Sequence, residues 1–173
     1  WDKYMTGVTS TDMHAAPFDE QYPYYVLAEA EGSDAAADEQ RFEALLERGF
    51  EAGDIADAII PKSDRERTTL WNIREEFEPI LPAYLYDVSL PMKSMVPYVE
   101  RLEKRLDEWS GDAESYVFGH IADGNLHIFV TPYDDGIHQD EFDRIVYESL
   151  DGFSGSISAE HGIGIDKRKW LGK

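Results

Sequence analysis

Cysteine is absent from the 173-residue chain, which excludes disulfides, thiolate nucleophiles and cysteine-ligated zinc or iron–sulfur sites. Basic residues are scarce: 16 Lys and Arg stand against 36 Asp and Glu, a formal charge of −20 at pH 7. A field of that sign repels nucleic acid and anionic lipid, so neither is an expected partner. It suits a solvated surface, as in a salty cytoplasm, and an anionic substrate would need basic residues placed locally. No apolar run approaches the roughly 18 residues that a membrane span needs. The start, Trp1-Asp2-Lys3 and then a polar stretch, is not that of a signal peptide. The expected setting is cytoplasmic, with peripheral membrane attachment left open for a longer polypeptide. The chain opens at Trp1 and stops at Gly172-Lys173 inside a helix-like stretch, as a segment of a longer protein would.

What remains is a folding sequence. Hydrophobic residues make up 42% and aromatic residues 13%, enough for a core within one ordinary domain. Apolar periodicity and turn residues divide it into elements. Residues 22–30 (YPYYVLAEA), 55–61, 84–91, 115–121, 125–131 and 154–160 read as strands. Residues 34–53, 94–109 and 138–150 read as helices, as does a segment capped by Ser63 that carries Leu70, Ile73 and Phe77 and ends at Pro79. A terminal helix follows Gly162-Ile163-Gly164, and the first twenty residues read as loop. The order predicts an α+β domain: a largely antiparallel sheet with helices on one face and ferredoxin-like elements.

Histidine is sparse too, five in all, yet two flank an Asp-Gly pair in GHIADGNLHIF, residues 119–129. Asp-Gly between apolar runs is a strong hairpin signal, because a type I′ turn needs positive φ at both central residues. With Asp123 and Gly124 as those residues, Ala122 faces Asn125, Ile121 faces Leu126 and His120 faces His127. Opposed side chains lie about 4.5–5.5 Å apart on one face, within reach of one metal ion. Leu126, Ile128 and Val130 fall on the other face, so the histidine face is the one free for a site.

A second polar cluster lies at residues 155–164, GSISAEHGIG, where a strand ends in Glu160-His161 and breaks at glycines that allow close ligand approach. Two histidines and one carboxylate are a common ligand set for zinc, and also for non-haem iron or manganese. The same three residues also suit hydrogen-bonded strand positions and a solvated strand end, and spacing alone does not choose between these readings.

VFGHIADGNLH (residues 117–127) and GSISAEHGIGIDKR (155–168) closely resemble the two signature segments of the FAD-linked oxidase C-terminal domain. That family supplies the substrate domain of D-lactate dehydrogenases, D-2-hydroxyglutarate dehydrogenases and the flavin subunit of glycolate oxidase. YYVLAEAEGSD, LWNIREEFEP and LYDVSLPMKSM resemble further family segments in the right order, so the resemblance spans nearly all of residues 1–173. It implies a domain that works beside an upstream FAD-binding domain, with FAD held mainly there and a final C-terminal segment beyond Lys173. The implied reaction oxidises a small D-2-hydroxy acid to the 2-oxo acid, with hydride passing to FAD and onward to an unspecified electron acceptor. This chain alone would then be inactive.

The resemblance also implies roles. His120, His127 and Glu160 match the ligands of a divalent metal, zinc first and manganese or iron as alternatives. His161 matches the general base, Arg74 the grip on the substrate carboxylate, and Asn125 a hydrogen-bonding neighbour of metal or substrate. Ala122 departs from the family's usual glycine. Members that hold a second carboxylate often carry a lysine where Leu85 stands and a polar residue near Phe129, so the hydrophobic residues here weaken the case for a dicarboxylate such as 2-hydroxyglutarate. Competing local readings pair Arg74 with Glu75 or Glu78, and leave Lys93, His14 and His138 solvated. The alternative from another functional class is a non-catalytic ferredoxin-like binding or regulatory module that keeps the hairpin as architecture.

Overall fold

Alternating apolar residues form three strands, β1 (Tyr84–Ser89), β2 (Ala113–His120) and β3 (Asn125–Pro132). They make one antiparallel sheet with β3 in the centre, in the order β1-β3-β2. The computed structural model describes residues 2–11, 14–109 and 112–172. Among these residues the α-helices are α1 (Asp2–Val8), α2 (Ala35–Ala52), α3 (Asp64–Glu75), α4 (Met92–Asp107) and α5 (Gln139–Glu148). The α+β class follows. None of the helices is long and apolar enough to cross a membrane.

One sheet face carries Tyr86, Val88, Val117, Leu126, Ile128 and Val130, which pack against Val99, Leu102 and Leu106 of α4 and Phe142 and Val146 of α5. This is the main core, and the helical stripes expected from sequence supply it. The caps expected for two helices also form. Asp34 accepts from the Ala37 N–H at the start of α2, Gly53 ends it in the left-handed region, and Ser63 accepts from the Glu66 N–H at the start of α3.

Several elements differ from the sequence reading. Residues 2–8 form a helix whose Tyr4 and Val8 are buried with Ile73, Ile80 and Phe129, giving the second sheet face its own small core. A seven-residue helix is too short to declare itself by periodicity, and tertiary packing is what stabilises it. Residues 22–30 and 55–61 form no strand. An aromatic, β-branched run becomes a strand only with a ladder partner, and Val26 is 75% exposed. Residues 154–160 make a single antiparallel bridge, Ser156 to Ser89. The terminal helix is a 3-10 turn, Asp166–Trp170. The helix that begins after Ser63 stops at Glu75, before Phe77, where Glu76 turns extended at φ −86° and ψ 120°, and Pro79 falls in a separate 3-10 turn, Glu78–Ile80. His14 and His138 are half-buried rather than solvated, and pair with Glu76 and Asp134 respectively.

Candidate metal and substrate site

The hairpin loop sets the geometry of the second face. Residues 121–123 form a 3-10 turn and Gly124 closes it at φ 70°, its N–H bonding to the Ile121 carbonyl. A Cβ at Gly124 would stand 2.5 Å from the Leu90 carbonyl oxygen, so only glycine fits there. The loop is therefore 121–124, and His120 pairs with Asn125 while His127 pairs with Phe118. This corrects the directly opposed arrangement expected from the Asp-Gly pair. The two imidazoles are diagonal neighbours. They still share a face, because residues 118 and 120 are two apart on one strand, and their rings lie 5.7 Å apart.

Two adjacent rows cross this face. Asp87, His127 and Phe118 make one; Ser89, Asn125 and His120 make the other. Beyond β1, the segment from Ser156 onward pairs briefly with Ser89 and then turns over the first row. Its Glu160 carboxylate reaches 3.9 Å from His120 Nε2 and 4.0 Å from His127 Nε2. One ligand atom from each of the three residues lies within 4.8 Å of the others. Asn125, almost wholly buried, donates from Nδ2 to Glu160 Oε1 at 2.6 Å, while its buried Oδ1 has no donor among the described residues. Burial holds the His127 imidazole below its ordinary pKa, with Arg74 and His120 acting in the same direction against Glu160. That favours the neutral, ligand-competent ring.

Arg74 arrives from the last turn of α3. The Tyr4 hydroxyl of α1 lies 2.8 Å from the Arg74 carbonyl oxygen and 2.9 Å from that of Glu76, donating to the unpaired end of the helix. The Arg74 guanidinium lies over the Phe118 ring, 5.0 Å from its centroid, with Nη2 3.4 Å from His120 Nε2. Among the described residues its side chain thus meets Phe118, His120 and the Tyr4 hydroxyl rather than Glu75 or Glu78. His161 is exposed, its ring 6.1 Å from that of His127. Leu85, opposite Phe129 on the same face, is 60% exposed. A hollow of about 280 Å³ lies on the turn side, lined by Ser89, Asp123, Asn125, Ser158, Ala159 and Glu160.

Sequence reasoning missed Asp87. Its Oδ2 accepts from the backbone N–H groups of Ala159, Glu160 and His161 at 2.9, 2.7 and 3.1 Å, and Oδ1 takes Lys167 Nζ at 2.5 Å. Burial by itself raises the Asp87 pKa, but the Lys167 ammonium and the three N–H groups outweigh it and hold the carboxyl at about 2. A lone acid inside the apolar run LYDVSL was the available signal, since an unpaired acid is rarely buried. Nothing local pointed to Lys167, eighty residues away.

An antiparallel α+β domain presenting this His-His-Glu cluster beside an arginine defines the class. The chain belongs to the family described as FAD linked oxidases, C-terminal domain, whose profile matches residues 2–173. It is 36% identical to a D-2-hydroxyglutarate dehydrogenase of Xanthomonas citri pv. viticola, over 90% of this chain and 35% of that protein. It is 31% identical to one of Stutzerimonas stutzeri, over 98% of this chain and 38% of that protein. A mitochondrial protein of Schizosaccharomyces pombe whose name carries D-lactate dehydrogenase is 35% identical, over 96% of this chain and 35% of its own length. The chain thus spans little more than a third of these curated relatives.

Proposed function

We propose that this chain is the substrate- and metal-binding part of a flavin-dependent dehydrogenase that oxidises a D-2-hydroxy acid to the 2-oxo acid. The observation that carries the reading is the convergence of His120, His127 and Glu160 beside Arg74 in a chain of this family. Two imidazole nitrogens and a carboxylate oxygen suit zinc, and also manganese or iron. Their 3.9 and 4.0 Å separations are about half an ångström wider than a tetrahedral pair at zinc distances, about 3.4 Å. These distances run to different oxygens of the carboxylate, and single ligand atoms from the three residues lie within 4.8 Å of one another, so holding an ion would draw both histidines and Glu160 inward.

His120, His127 and Glu160 would hold a divalent ion, which would supply Lewis-acid polarisation of the substrate 2-hydroxyl. His161 takes the hydroxyl proton as general base, and its exposed ring passes that proton to solvent. Arg74 grips the carboxylate with paired N–H donors and supplies the local positive charge that the acidic surface otherwise lacks. A flavin held by an upstream domain would serve as hydride acceptor, so that the α-carbon's C–O bond ends as the carbonyl of the product. Asn125, already bonded to Glu160, steadies that ligand.

The test is metal analysis and turnover of the full-length protein. One divalent ion per chain, lost together with 2-hydroxy acid oxidation in His127→Ala, is expected. A wild-type protein without the ion, or a variant that keeps both ion and activity, would overturn the reading. The 173-residue chain expressed alone is expected to be colourless and inactive toward D-lactate and D-2-hydroxyglutarate. Bound flavin or turnover in that preparation would refute the division of labour.

A further inference from the structure

We propose that Asp87 is a positioning residue: its buried carboxylate gathers the backbone of residues 159–161 and thereby aims Glu160 and His161 at the two histidines. The inference rests on the roles given above to Glu160 and His161. Asp87 sits directly across the ladder from His127 on the site face, yet only 3% of it is exposed, because the segment after Ser156 lies over it. Past the single bridge at Ser156, that segment has no ladder to hold it. Three successive N–H groups instead converge on Asp87 Oδ2, and Lys167 closes the other oxygen while standing 3.3 Å from Ser158 Oγ.

The consequence is geometric. Glu160 and His161 are consecutive, so no regular strand could turn both side chains to one face. A loop wrapped around a fixed carboxylate can. The anchor is also tied to the sheet: Asp87 shares a rung with His127, so the residues it gathers are placed relative to that histidine. Partners that orient ligands from outside the metal's own shell typically contribute about 10–100-fold in metal affinity or activity. Asp87 does this through main chain rather than through a ligand side chain.

The experiment compares wild type, Asp87→Asn, Lys167→Met and His127→Ala in the full-length protein, using zinc alone as the metal probe. Zinc affinity, hydrogen exchange at amides 159–161, kcat and KM are measured. Asp87→Asn is expected to weaken zinc about 10–100-fold, speed exchange at those three amides and lower kcat. KM, governed by Arg74 on a different element, stays within about twofold of wild type. A residue needed only for stability would lower the unfolding midpoint without that split. A folded Asp87→Asn protein with wild-type zinc affinity and exchange overturns the proposal. If Asp87→Asn fails to fold, Lys167→Met decides: faster zinc release and faster exchange at 159–161 support the anchor, and wild-type values overturn it. If His127→Ala binds zinc as well as wild type, the metal reading fails instead, and exchange at 159–161 still judges the placement by Asp87.

Discussion

At the scale of single residues, the site divides its work between groups whose removal should leave different kinetic traces. Among the described residues Arg74 lies over Phe118 and meets His120 and the Tyr4 hydroxyl but pairs with no carboxylate, which leaves donors for an anionic substrate. Arg74→Ala in the full-length protein should raise KM and lower kcat/KM by the equivalent of about 2–5 kcal/mol, the usual loss when one partner of a buried charged pair is removed. His161 lies instead beside His127, with 6.1 Å between their rings. His161→Ala should leave KM nearly unchanged and lower kcat by about 10²–10⁴-fold, the usual contribution of a general base. Steady-state kinetics with a series of 2-hydroxy acids separates the two. Equal effects on KM and kcat from both variants would mean that neither role is assigned correctly.

At the scale of elements, the placement of Arg74 depends on α1. Tyr4 contributes twice: its ring packs on Phe118, 4.4 Å between centroids, and its hydroxyl closes the end of α3. Tyr4→Phe keeps the packing and removes the donor. The expected cost is about 0.5–1.5 kcal/mol for one net hydrogen bond, at the upper end because buried acceptors lose their partner. Urea unfolding should show that loss, and KM should rise severalfold as the last turn of α3 frays. Unchanged stability and KM would detach α1 from the site. The hairpin is the other decisive element. Its four-residue loop places Asn125, not His127, opposite His120, which is how Asn125 comes to lie within hydrogen-bonding reach of Glu160.

At the scale of the whole molecule, tyrosine burial makes a distinct prediction about alkali. Burial pushes Tyr4 up to about 12 and raises Tyr86, Tyr98, Tyr116 and Tyr147 further. In the unfolded chain these phenols ionise near 10. The native state therefore holds protons that the unfolded state releases, and stability is lost as pH rises through 10 and beyond, not below it. The urea midpoint should stay level between about pH 7 and 9 with respect to these groups and fall steeply above about 10. Tyrosinate absorbance should appear together with unfolding. Smooth titration of all tyrosines near 10 without unfolding would contradict the packing of both cores.

The sequence by itself determined the α+β class, the capped helices α2 and α3, the stripes of α4 and α5, and the hairpin with its histidines on the face away from the main core. Each of these depends on interactions within a few residues: a cap and its N–H, a stripe at i and i+4, alternation along a strand. Tertiary structure alone decided the diagonal relation of His120 to His127, because the Leu90 carbonyl packed against Gly124 sets the loop. It also decided that residues 22–30 and 154–160 do not become strands, since a strand requires a partner that its own pattern cannot supply. Asp87, Lys167 and Tyr4 were illegible for the same reason. Their partners lie 69 to 80 residues away, and only a packed chain brings such groups close enough for one carboxylate to hold three amides and an ammonium.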